Sequence, residues 1–171
     1  MKTTVFVFHP QLEAGSRINQ TLAQAAGQAG VEVRDLYALY PDFQIDVVAE
    51  QAALADADRI VLQFPIFWYQ VPALLKQWFD DVLSYGWAYG TGGDALQGKE
   101  LLLAASFGAG ADDYTAEGRF HTTIPEILKP LEAIQYHTGL KLLEPFTITG
   151  TLNLTDEDLA AASQAYVERL K

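Results

Sequence analysis

Residues 59–82 read RIVLQFPIFWYQVPALLKQWFDDV. The first six are almost continuously apolar, the pattern of a strand covered on both faces rather than one. Pro65 and Pro72 then bracket Phe67, Trp68 and Tyr69, so neither strand nor helix continues between them. Pro72 suits the first turn of a helix, where its missing N–H has no partner to lose. The stretch therefore predicts a strand, a stiff aromatic loop and a helix over residues 72–84, which is the repeating unit of a parallel sheet.

Further strand patterns lie at residues 3–8, 31–36, 100–106 and 141–149, and further helix patterns at 17–29, 47–55, 125–138 and 156–170. Gly30 and Gly139 follow helix ends. Ser16 or Asn19 caps the first helix, and Thr155 caps the last, with Asp158 three residues on. Five strands alternating with five helices predict one α/β domain over residues 1–171, a doubly wound parallel sheet with no repeat and no linker. The longest loop-like segment, residues 85–98, looks built to shape a cavity or a dimer. Periodicity does not order the strands. Such sheets bind ligands beyond the carboxyl ends of their strands, where the strand order reverses, so function is expected after strands one, three and four.

Composition narrows the ligand. Eleven Lys and Arg stand against 22 Asp and Glu, a net charge of −11 over 171 residues, half of them hydrophobic. Nucleic acid and anionic lipid would be repelled by that field, and no basic run offsets it. An anionic ligand must be held locally. With no cysteine, thiol redox chemistry and thiolate metal sites are out. The three histidines, His9, His121 and His137, have no metal-ligand spacing, so no metal is expected. Dinucleotide G-x-G-x-x-G, Walker and G-x-S-x-G patterns are missing too. The four-residue apolar start is too short for a secretory signal or a membrane span and reads as the first strand of a cytoplasmic protein.

After strand one comes His9, then a loop to Ser16, Arg17, Ile18 and Asn19 at a helix start. Backbone N–H groups, a hydroxyl, an amide and the helix dipole suit a phosphate there, although Ser16 and Asn19 read equally well as plain caps. After strand three, the Pro65, Ile66, Phe67 and Trp68 loop could stack a flat heteroaromatic ring, or could simply cover the sheet end. After strand four, Phe107, Gly108, Ala109 and Gly110 let backbone approach something flat. Tyr114 and His121 follow as groups able to handle a proton, or as an exposed Tyr and a helix-start His.

His9-Pro10, Ser16-x-x-Asn19, Tyr40-Pro41-Asp42-Phe43-x-Ile45-Asp46, Pro65-x-x-Trp68-Tyr69, Pro72-x-Leu74-Leu75-Lys76, Trp87-Ala88-Tyr89-Gly90 and Gly98-Lys99 together resemble the flavodoxin-like NAD(P)H:quinone oxidoreductases. The similarity runs on to Pro145-Phe146. It is strongest to the bacterial branch that includes the ancillary quinone reductase of glutathione-gated potassium efflux systems, and the animal DT-diaphorases are more distant.

The resemblance implies a five-stranded flavodoxin-like sandwich of order 2-1-3-4-5, a homodimer with active sites at the subunit interface, and a non-covalent flavin; the short loop after His9, with nothing extra to cover an adenine, favours FMN, with FAD the alternative. It places the flavin phosphate on Ser16, Arg17, Ile18 and Asn19 near His9. Pro65, Ile66, Phe67 and Trp68 would line one side of the ring, and Phe107, Gly108, Ala109 and Gly110 would meet its pyrimidine edge. Tyr114 and His121 stand where the DT-diaphorases have a catalytic Tyr and His. The implied activity is ping-pong hydride transfer from NAD(P)H to quinones, with Arg17 and Arg119 candidates for a 2′-phosphate. A flavodoxin-type electron carrier, and a regulatory subunit in peripheral contact with a membrane transporter, are the alternatives.

Overall fold

The computed structural model describes residues 1–171. Its strands are β1 (Thr3–Val7), β2 (Glu32–Asp35), β3 (Arg59–Pro65), β4 (Glu100–Ser106), β5 (Lys141–Leu142) and β6 (Phe146–Ile148). Its helices are α1 (Leu12–Gly15), α2 (Arg17–Gln28), α3 (Leu36–Leu39), α4 (Val47–Asp56), α5 (Ala73–Val82), α6 (Ile124–Glu132), α7 (Ile134–Thr138) and α8 (Asp156–Leu170). The sheet runs β2-β1-β3-β4-β5 with every pairing parallel, and β6 also pairs with β4. This is the flavodoxin-like order.

The apolar strand runs are buried on both faces because alternate residues serve two separate cores. Phe6, Ile60, Leu62, Leu101 and Leu103 face Leu54 of α4, Leu74 and Trp78 of α5, and Leu128 of α6. Val5, Val7, Val61 and Leu102 face Ile18 and Leu22 of α2 and Leu159 and Tyr166 of α8. Parallel strands bring the residues after β1, β3, β4 and β6 to one edge of the sheet. The order reverses between β1 and β3 at that edge.

Two expected elements are broken. The single strand expected over 141–149 is β5 and β6, which makes the sheet six-stranded. Leu101 pairs with Leu142 and Ala104 with Phe146, so three residues, 143–145, stand opposite two. That is a bulge, and Pro145, with no N–H for the ladder, sits in it. The helix expected over 125–138 divides at Ala133. Pro130 inside α6 removes one intrahelical bond, and the chain restarts through a tight Tyr136 N–H to Ala133 O bond. Gly139 closes α7 in the left-handed conformation, as its position after the helix predicts.

Candidate functional site

The site begins at the start of α2. Ser16 is its cap, with Oγ accepting from Asn19 N at 3.1 Å, and Ser16 O takes the Gln20 amide. The amides of Arg17 and Ile18 have no acceptor in the protein and lie at the positive end of a twelve-residue helix. The first turns of α4, α6 and α8 carry Glu50, Glu126 and Asp156 to Asp158, but that of α2 carries no acidic residue. The first turn of α5 carries none either, but Pro72 O takes its Leu75 and Lys76 amides, whereas the free amides of α2 can receive an external anion.

A cleft of about 370 Å³ opens over it. His9, Ser16, Arg17, Ile18, Asn19, Pro65, Ile66, Phe67 and Gly108 all line it, so residues from all three expected loops meet in one place. Gly15, Ser106, Thr151 and Leu152 line it too and were not singled out from the sequence. Thr151 and Leu152 belong to the loop after β6. The Thr151 and Leu152 amides donate to Phe107 O and Gly108 O, and the Gly150 amide donates to Ala109 O, fastening that loop to the one after β4. The signal for it was a fourth strand end on the same edge of a parallel sheet.

Several side chains play a different part from the one expected. The Arg17 guanidinium is turned to Leu154 O and the Asp156 carboxylate at the start of α8, so only its amide is free for the cleft. Phe107 is fully buried, and its amide donates to Ile148 O at 2.7 Å, which leaves neither ring nor N–H for a ligand. Trp68 does not line the cleft but projects into solvent, 88 % exposed. His121 is exposed and lies outside the cleft; the turn it closes holds its backbone at φ +50° and sets its Nδ1 3.3 Å from Ala116 O.

The aromatic loop is a closed turn. Phe67 N donates to Gln70 O and Gln70 N to Phe67 O, both at 2.9 Å, around Trp68 at φ +49° and Tyr69 at φ +63°. Positive φ at both central residues is the type I′ geometry, ordinarily filled by Asn-Gly. Two bulky aromatics in this conformation cost about 1–3 kcal/mol each, a burden typical of functional loops. Tyr69 packs edge-on against Phe120.

His9 is half-buried between the cleft and a neighbouring hollow that Glu13 and Asp35 help to line. Burial lowers its pKa against the pull of Asp35. The Gln11 amide donates to Nδ1 at 3.1 Å, so the neutral ring carries its proton on Nε2. Past β4, the amides of Gly108 and Gly110 have no acceptor in the protein, and that of Ala109 faces the Tyr114 hydroxyl. Tyr114 sits between Phe107 and Phe120, and burial raises its pKa, which keeps it a protonated donor.

Beyond Ile66 lies a second cavity of about 390 Å³, walled by Val71, Phe79, Leu83, Ile127 and Tyr89 from the 85–98 segment. Its lining is mostly apolar, and it has no cluster of free amides. Lys76, paired with Asp80, and His137 also border it.

The flavodoxin-like fold family matches residues 1–170. An uncharacterized NAD(P)H oxidoreductase of Bacillus subtilis is 49% identical over 100% of this chain and 98% of its own length. An ancillary protein of the glutathione-regulated potassium-efflux system of Klebsiella aerogenes is 46% identical over 95% of this chain and 90% of its own. The general stress protein 14 of Treponema denticola, solved with FMN, superimposes with TM-score 0.94 at 37% identity, covering 99% and 98% of the two chains. An NADPH-quinone reductase of P. pentosaceus gives TM-score 0.88 at 30% identity over 100% and 98%.

Proposed function

This chain belongs to the flavodoxin-like fold family, and from that premise we propose that it is a flavin-dependent NAD(P)H:quinone oxidoreductase that binds FMN. One observation carries the reading. The amides of Arg17 and Ile18 and the hydroxyls of Ser16 and Ser106 are donors without protein acceptors, gathered in one cleft at a helix N-terminus free of carboxylates. This donor set fits the phosphate of FMN, and Pro65, Ile66 and Phe67 offer an apolar wall beside it. The relatives named for NAD(P)H oxidation and quinone reduction, and the one solved with FMN, support the same reading.

Bound FMN would supply the two-electron relay from the nicotinamide to the quinone. The protein's part is binding, orientation and charge. The free amides of Gly108 and Gly110 and the neutral Tyr114 hydroxyl are donors placed to offset negative charge near the cleft. Trp68 and Tyr69 give an exposed aromatic platform on which a nicotinamide and then a quinone would take the same place in turn, the ping-pong order. FMN is favoured over FAD because the hollow next to His9 is lined by Glu13 and Asp35, whose charges would repel a second phosphate. For a 2′-phosphate, Arg119 is the better candidate: its guanidinium lies over the Phe120 ring, whereas that of Arg17 is already paired.

The exposed aromatics Tyr85 and Tyr136 are surfaces that a second copy of the chain would cover in the proposed homodimer. The potassium-efflux relative favours a second role, contact with a membrane transporter. No helix is long and apolar enough to cross a membrane.

The test is the absorbance of the purified protein, the identity of the flavin it releases, and its quinone-dependent NAD(P)H oxidation. Released FMN with steady turnover is expected. Flavin binding without turnover would favour an electron carrier, and a colourless protein that neither takes up FMN nor oxidises NAD(P)H would overturn the proposal.

A further inference from the structure

Gln63 is fully buried in the middle of β3, on the face packed against α2 and α8. A carboxamide there is costly unless hydrogen-bonded at both ends. Its Nε2 is 2.8 Å from Asn19 O and 3.4 Å from Asn19 Oδ1, and its Oε1 is 3.0 Å from the Tyr166 hydroxyl. Tyr166, fully buried on α8, makes no contact with the cleft, and Gln63 does not line it either.

These groups fit together in one sense only. The Asn19 backbone carbonyl can only accept, so the NH₂ of Gln63 must face α2 and its oxygen must face Tyr166, whose hydroxyl therefore donates. With the Gln63 NH₂ against Asn19 Oδ1, the Asn19 NH₂ faces Ser106 and donates to Oγ at 2.9 Å. The Ser106 hydroxyl thus has a lone pair engaged and a proton with no acceptor in the protein. Ser106 as a residue is 6 % exposed, and it lines the cleft with Ser16. Were the Asn19 amide turned over, its oxygen would take the Ser106 proton, and the cleft would lose a donor.

We propose that Gln63 and Tyr166 are positioning residues that act through Asn19 to hold the Ser106 hydroxyl as a donor into the cleft, and so make the cleft select a phosphorylated flavin over an unphosphorylated one. The inference rests on the FMN reading of the cleft. It extends the site into the core, to residues that no ligand touches.

The test titrates the full-length, flavin-free chain with FMN and, separately, with riboflavin, following flavin fluorescence. Gln63→Met with Tyr166→Phe removes the carboxamide together with the hydroxyl it pairs with and fills their volume with apolar atoms, which leaves no buried partner between them unpaired and frees the Asn19 amide to turn over. The dissociation constant for FMN should rise about tenfold or more in this variant, while that for riboflavin stays within about twofold. Tyr166→Phe alone keeps the ring against Phe146 and should show the same split at smaller size, because Asn19 O still orients Gln63. Ser106→Ala should reproduce the FMN loss, and adding the double substitution to it should cost nothing further.

A loss that is equal for FMN and riboflavin, or one that adds in full to that of Ser106→Ala, overturns the inference. So does a double variant that binds FMN as the unaltered chain does, and that result leaves the FMN reading standing. An unaltered chain that binds no FMN overturns both.

Discussion

Two buried polar networks flank the central sheet, one on each face. On the α4 and α5 side, the Glu50 carboxylate has no exposed surface and receives Arg34 and the Tyr40 hydroxyl on Oε1 and the Trp78 indole N–H on Oε2. Burial, with Glu50 beside it, pushes the Tyr40 hydroxyl up to about 12. Both carboxylate oxygens are engaged, and apart from Arg34 Nε the buried side-chain polar atoms of the network have partners. On the α2 and α8 side, Tyr166, Gln63 and Asn19 pass their hydrogen bonds along to Ser106, whose proton is left over at a cleft. Both are buried, although one is built on an ion pair and the other on neutral amides and hydroxyls. What separates them is where the last donor points. A network whose surplus donor reaches no cleft holds the fold together, and one whose surplus donor lines a cleft is prepared for a ligand.

That contrast can be broken most forcefully at Glu50. Glu50→Ala strands Arg34 in a mostly buried position and should cost about 3–5 kcal/mol in chemical denaturation. The FMN affinity of the protein that remains folded should not change. If affinity falls in step with stability, the two networks are not separate and the distinction fails.

The next effect concerns the rim of the open side. Trp68→Asn with Tyr69→Gly supplies the residues a type I′ turn favours and should stabilise the protein by about 1 kcal/mol by relieving two left-handed aromatics. Quinone-dependent turnover should drop in the same variant. A turn that loses stability on this exchange would mean that the aromatics are held by packing and carry no functional strain.

The smallest effect is at His9. Its folded pKa lies below the ordinary 6.5, because burial disfavours the imidazolium. The unfolded chain therefore binds more protons in that range, and stability must fall as the pH drops through 6.5 toward the lower folded value. Above 6.5 the contribution is constant. Unfolding curves measured across this window should slope less for His9→Gln, and an unchanged slope would place the titrating group elsewhere.

The cleft was legible in the sequence to the extent that it is built from strand ends. Once the apolar runs of residues 3–8, 59–64 and 100–106 are read as parallel strands, His9, Ser16 to Asn19, Pro65 to Phe67 and Gly108 must share an edge. The loop of Thr151 and Leu152 follows from the same reasoning, but the interrupted strand before it hides its start. Trp68 and Phe107 lie on loops at that edge, but a loop sequence does not say which side chain turns inward. Phe107 goes to the core and Trp68 to solvent.

The amino-acid sequence by itself determined the alternation of strands and helices, the helix caps at Ser16 and Thr155, the absence of thiol chemistry and the need to hold any anion locally. These are local or compositional properties, set by neighbours a few residues apart. Only the tertiary structure decided which donors are left over. The bonds from Gln63 to Asn19, Asn19 to Ser106 and Tyr166 to Gln63 join residues 44, 87 and 103 positions apart. Whether a hydroxyl is a finished cap or an open donor depends on partners that meet only once the sheet and its two helix layers have packed.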